Sequence, residues 1–215
     1  MGHQHIVTSS TTGVRRAFHI THPKRAASGF SLVEVLVSIV VLSFGLLGMV
    51  GMQAASLKAN REARLQSSAM VLARELAEMV RSNNAIGILT GSANPYLGIF
   101  NSSPLAAATP TYCLSMGTTA CADNTAIANA EMTEWLARVD AELPGARVDV
   151  CFDAAPFDTT TGLPQWPCTA GTSGIVVVKI GWTRGSTDRS KSGADAFERA
   201  RIPSIVFPVT AGNVL

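Results

Sequence analysis

From Val35 to Leu57 the chain runs for 23 residues without a charged side chain. As a helix rising 1.5 Å per residue, such a run spans the roughly 30 Å hydrocarbon core of a bilayer. It also accounts for an apolar content of 47% and a mean hydropathy of +0.26, high for a chain of 215 residues that has room for one domain with a real core. A secretory signal peptide is the competing reading. The run is longer than such a signal needs, and the residues beyond it are explained without a small-x-small cleavage site.

Charge is distributed unevenly around this run. Residues 1–29 hold Arg15, Arg16, Lys24 and Arg25, all four histidines (His3, His5, His19, His22) and no acid. The positive-inside rule therefore places residues 1–29 in the cytoplasm and exports the C-terminal part. Taking the leader's four basic residues from the total of 17 leaves 13 against 15 acidic ones, a net of −2. The remainder lacks histidine, the usual general base near neutral pH and the commonest metal ligand. A formal net charge of +2 for the whole chain points neither to a nucleic-acid binder nor to an acidic tail.

Helical signals continue past the apolar run. Residues 57–83 contain no Pro or Gly, and Leu65, Ala69, Leu72, Leu76 and Met79 recur at spacings of four and three, forming one apolar stripe. Glu78 stands four residues from Arg74 and three from Arg81, so ion pairs are expected on the opposite face. One continuous helix from Phe30 to Asn83, roughly 80 Å long, is the expectation. Its amphipathic outer half must pack on something.

Residues 84–112, rich in Gly, Ser, Asn, Pro and Ala, read as a long connecting loop. Within it Asn101-Ser102-Ser103 matches a glycosylation sequon, a triplet common by chance. A second helix is expected over 128–143, with Met132, Trp135, Leu136, Val139 and Leu143 on one side and Pro144-Gly145 as its stop. Three strand-like runs come next, at 146–152, 174–184 and 200–209. The second, with Ile175-Val176-Val177-Val178, is the clearest, and Pro203 and Pro208 mark the third as an edge or interrupted strand. The polar stretch 185–196 reads as an exposed hairpin tip. Helix first and antiparallel strands after give an α+β class.

Cys113, Cys121, Cys151 and Cys168 show no CxxC spacing, so a zinc knuckle or thioredoxin-type site is not indicated. In an exported domain two disulfides are the natural reading, with three pairings possible. Cys113–Cys121 with Cys151–Cys168 is favoured because each closes a short loop.

Lys24-Arg25, then Gly29-Phe30-Ser31-Leu32-Val33-Glu34 and an uncharged helix, is a pattern that resembles the class III signal of type IV prepilins and type II secretion pseudopilins. The resemblance is strongest over residues 24–57. It implies that a prepilin peptidase cuts after Gly29 and that Phe30 becomes an N-methylated first residue. Glycine, lacking a Cβ, leaves the scissile backbone accessible. Glu34 would sit in an apolar helix at a cost of about 2.5–3.5 kcal/mol. The resemblance assigns it to pairing with the amino terminus of a neighbouring subunit, which sets the axial register. The competing reading is an interfacial glutamate reaching the headgroups. Gly45, Gly48 and Gly51 suit close helix packing or local melting, though glycine is also simply common in membrane helices. Major pilins often carry proline where Gly51 stands, which favours a minor subunit.

Farther on, Asn83 after Met79-Val80-Arg81, Trp135 upstream of Leu143-Pro144-Gly145-Ala146, a cysteine-bearing strand, and Val176-x-Val178-x-Ile180-x-Trp182 look in their order like the PilV-type minor pilins, the type IV pilus modification proteins. Each alone is explained by core packing. The resemblance implies a pilin-like α+β fold, a long helix packed on a small antiparallel sheet. Its divisions are a cytoplasmic leader (1–29), a transmembrane assembly helix (30–57), an amphipathic continuation (58–83) and a periplasmic globular domain (84–215). The chain would lie in the inner membrane as a single-pass protein and enter the pilus, supporting adhesion and twitching motility. Expected partners are the prepilin peptidase, other minor pilins, the major pilin and a tip adhesin, with no nucleic acid, and tip and shaft positions are both open. A minor pseudopilin of a type II secretion system shares Gly29, Phe30 and Glu34 and is the alternative. A plain single-pass anchor is the third reading.

An enzyme is not expected. Residues 30–215 carry no GxSxG, P-loop or dinucleotide fingerprint. Asp149, Asp153 and Asp158 read as solvated acids rather than catalytic ones. Asp123-Asn124 and Asp153/Asp158 lack EF-hand spacing, so no metal or cofactor is assigned.

Overall fold

The computed structural model describes residues 29–212 other than 118, 173, 187 and 189, and leaves out the side chains of Ala194 and Asp195. Residues 1–28, with Lys24, Arg25 and the histidines, lie outside the described residues. The chain divides into two compact units, Met1–Gly51 and Met52–Leu215. The division falls inside the first helix, α1 (Leu32–Ser82).

In the first unit α1 is uncharged beyond Glu34, mostly apolar around its circumference, and exposed throughout. Ser38 and Ser43 turn their hydroxyls back onto the carbonyls of Glu34 and Ile39, each at 2.7 Å, so these two hydroxyls are satisfied within the helix.

In the second unit the same helix becomes a core element. Ala69, Leu72, Ala73, Leu76, Ala77 and Val80 are buried, with Leu65 and Met79 half-buried beside them. The expected stripe forms and is widened by the alanines. On the outer side Arg81 pairs with Glu78 at 2.6 Å, whereas Arg74 does not. Glu75 reaches Arg138 of α3 (Asn124–Glu142) instead. Asp123 caps α3 by accepting from the Ala126 amide at 2.7 Å, which starts the helix four residues before the expected start at 128. Trp135, fully buried, donates its indole N–H to the Leu72 carbonyl at 3.0 Å and locks α3 to α1.

Residues 84–112 are the expected loop only from 101 on; residues 84–100 carry short regular elements. These are α2 (Asn84–Gly87), a 3-10 turn at Gly91–Ala93 and a strand, β1 (Gly98–Phe100). Buried Asn94 pins this segment through its amide to the Gly87 and Leu89 carbonyls, and buried Tyr96 donates its hydroxyl to Glu131 of α3. β1 pairs antiparallel with β2 (Arg147–Asp153), β2 with β3 (Ile175–Gly181), and β3 with β6 (Ile205–Pro208). The four-stranded antiparallel sheet therefore has the order β1-β2-β3-β6. β6 is an edge strand and begins only after Pro203, shorter than the run expected from sequence. The stretch read as a polar hairpin tip carries a small two-stranded sheet at its base, β4 (Arg184–Gly185) with β5 (Phe197–Glu198). Gly145, at φ +58°, makes the turn from α3 into β2, and a Cβ there would stand 2.3 Å from the Thr183 hydroxyl.

Val148, Val150, Val178 and Ile180 face the helices and join the core with Trp182. The other sheet face carries charge. Asp149 and Asp153 are buried there and ion-paired, which corrects their reading as solvated acids. Segment 154–174 folds over this face. Trp166 packs against Gly181, where an added Cβ would lie 2.8 Å from its ring, and the Arg147 guanidinium stacks 4.1 Å over the same ring. Disulfides join Cys113 to Cys121 and Cys151 to Cys168, the second tying this cover to β2.

Candidate functional site

Gly29, Phe30 and Ser31 lead into α1 without regular secondary structure. Among the described residues, an added Cβ at Gly29 would meet no atom within 4 Å. The Ser31 carbonyl accepts from the amides of Glu34 (3.0 Å) and Val35 (3.2 Å) and starts the helix. Glu34 thus lies in the first turn, where the helix dipole favours a carboxylate.

Phe30, Glu34, Val35, Ser38, Ile39 and Leu42 share one shallow groove along α1. Glu34 has no ion-pair partner among the described residues. Phe30 is 83% exposed, and every large apolar side chain from Leu32 to Met52 is exposed as well. Among the described residues α1 is the one helix long and apolar enough to cross a membrane, and none of its apolar stretch is buried inside the protein. A lone carboxylate at the end of such a face offers a single charged contact in an otherwise featureless packing surface. In a low-dielectric setting one opposite charge there fixes registration between helices far more sharply than apolar contact does.

Gly29 and Phe30 stand just before α1, and Glu34 lies in its first turn. The four cysteines lie in the second unit, where they brace the globular fold. No group of three or more His, Cys, Asp or Glu side chains is placed to hold a metal ion among the described residues. Sequence reasoning missed Lys179, whose side chain is buried with Asp153. Its signal was a lysine standing alone in a run of β-branched residues.

A family model described as the prokaryotic N-terminal methylation motif matches residues 24–50. No curated protein and no solved structure matches the chain. The matched motif is the prepilin-type signal, and it supports the type IV pilin-like class, pilin or pseudopilin. It implies cleavage by a prepilin peptidase and assembly with other pilins, and with the apolar helix behind it fits a protein anchored in the inner membrane. A structural subunit, rather than an enzyme, is what this motif suggests.

Proposed function

We propose that this chain is a minor pilin that takes part in initiating type IV pilus assembly and so supports adhesion and twitching motility. The observation that carries the reading is Glu34, four residues beyond Phe30, on an apolar helix surface that none of the described residues covers, within a matched methylation motif. Cleavage after Gly29 exposes the Phe30 amino group. The Glu34 carboxylate of one subunit then pairs with that amino group on a neighbour, offsetting the cost of about 2.5–3.5 kcal/mol of holding a charge in the helix.

The order of Trp135, Pro144-Gly145, the cysteine-bearing strand and Trp182 supports a PilV-type subunit, as does Gly51 in place of the proline common in major pilins. The two disulfides suit an exported, periplasmic domain. Lys24 and Arg25 keep the leader cytoplasmic until the peptidase removes it. Other minor pilins, the major pilin and a tip adhesin are the partners this role requires.

The test is complementation of a deletion strain. The wild-type gene should restore piliation and twitching. Glu34→Ala should be processed at Gly29, as judged by mass spectrometry of the membrane fraction, yet be missing from sheared pili. Normal incorporation of Glu34→Ala would sink the register role. Intact pili with lost protein secretion in the deletion strain would reassign the chain to the type II pseudopilins.

A further inference from the structure

The geometry points to a pocket for the phosphate headgroup of an anionic phospholipid, built where the uncharged run of α1 gives way to charge. Lys58 is the first charged residue after Leu57, and Arg61 and Arg64 come within the next two turns. Lys58, Arg61 and Glu62 of α1, Arg184 and Gly185 of β4, and Phe197 of β5 line a pocket of about 300 Å³. Two elements more than 100 residues apart thus contribute cations to one concavity.

The site is held in place. Arg184 Nε lies 2.7 Å from Glu62 Oε1, and its guanidinium sits 5.0 Å over the ring of buried Trp182. Lys58 reaches across to β4, where a Cβ on Gly185 would stand 3.9 Å from Nζ. Glu62 is the one acid lining the pocket, and Arg184 already neutralises it.

Elsewhere in the second unit cations are mostly paired: Arg81, Arg138, Arg147, Lys179 and Lys191 each meet a carboxylate. Lys58, Arg61 and Arg64 meet none among the described residues. Unpaired cations on the exported flank run against the positive-inside rule, so their concentration there calls for a counter-charge. Position selects the lipid. One residue past the end of a membrane span is the depth of the headgroups, and Phe197, 58% exposed on the rim, gives the glycerol and upper acyl chain an apolar wall. Each cation near an anionic surface raises affinity about fivefold, and the effect fades with salt. The inference requires that α1 span a bilayer and holds for a pilus or a secretion subunit alike.

The test uses the full chain reconstituted in vesicles of phosphatidylcholine containing phosphatidylglycerol, with either lipid carrying a fluorescent acyl chain as energy-transfer acceptor from the protein's tryptophans. Phosphatidylglycerol should be enriched around the wild type. The Lys58→Gln/Arg61→Gln/Arg64→Gln variant should lose that preference by about tenfold or more, and Arg74→Gln, an unpaired cation farther along α1, should keep it. Glu62→Gln/Arg184→Gln leaves net charge unchanged and should still weaken enrichment, which diffuse attraction would not. Equal enrichment of both lipids, an unaffected triple variant, or an unaffected charge-neutral double variant overturns the pocket. Displacement of the lipid by inorganic phosphate would instead make it a site for a free anion. A chain that is not retained in carbonate-washed vesicles overturns this proposal and the membrane anchor together.

Discussion

Lys179 Nζ lies 2.5 Å from Asp153 Oδ2, and both side chains are buried on the sheet face turned away from the helices. The ammonium spends its other two donors on the carbonyls of Pro167 (2.9 Å) and Trp166 (3.3 Å), and Asp153 Oδ1 accepts from the Ala155 amide and the Thr169 hydroxyl. The pair is therefore fully hydrogen-bonded and holds segment 154–174 down over β2 and β3.

Removing one partner leaves the other charge buried and alone. Lys179→Met is expected to destabilise the fold by about 3–5 kcal/mol, while Lys179→Met/Asp153→Asn recovers part of that loss. Denaturant midpoints of the full chain in detergent, followed by tryptophan fluorescence, measure both. Additive losses in the double variant would show that the two residues act independently.

Acid should weaken the same contact. Burial alone pushes the Asp153 carboxyl up, but the bonds from Lys179, the Ala155 amide and Thr169 outweigh it and hold the group below the ordinary carboxylate range. A folded-state value below the unfolded one, about 3.9, means the stabilisation is complete above that pH and is lost as pH falls through the folded value. The wild-type midpoint should fall below about pH 4, and more steeply than that of Asp153→Asn. Equal slopes would remove Asp153 from the acid response.

Trp135 separates a hydrogen bond from bulk. Trp135→Phe keeps most of the ring but loses the bond to the Leu72 carbonyl, at a cost of about 1 kcal/mol beyond repacking. Trp135→Ala opens a cavity between α1 and α3 and should cost about 3–5 kcal/mol. The same midpoints decide, and equal losses would assign no share to the ring volume.

Processing is expected at the Gly29-Phe30 bond. Gly29→Val adds a β-branched side chain beside the scissile peptide, and the variant should retain residues 1–29, while the wild type starts at Phe30. Intact-mass measurement of the membrane fraction distinguishes the two. A wild-type chain that keeps its leader would favour a plain membrane anchor.

Much of the helical half was legible because its signals are local. The uncharged run, the stripe through Leu65 and Leu76, and the Trp135 face of α3 each arise from periodicity within a few turns. β3 was legible from its β-branched run. β1 was not: Gly98-Ile99-Phe100 is too short for an alternating pattern, and becomes a strand only because residues 148–150 lie beside it. Lys179, Asp149 and Asp153 obeyed the period-two rule onto the second sheet face. That face is buried only because segment 154–174 returns over it, a long-range fact that no window of the sequence contains. The pocket at Lys58 was hidden for the same reason, since Arg184 and Phe197 reach it from the far end of the chain. Gly29, Phe30 and Glu34, by contrast, fall within six consecutive residues and were readable as a unit.

The sheet ends on one side in β1, three residues long, and on the other in β6, which starts after Pro203 and closes on Pro208. A long open strand edge is a template on which sheets join into fibres, and proline contributes no N–H to such a ladder. The matched prepilin-type motif implies assembly with other pilins. Truncated, proline-marked borders leave little sheet edge for copies of this chain to join by amyloid-like stacking when they are crowded together.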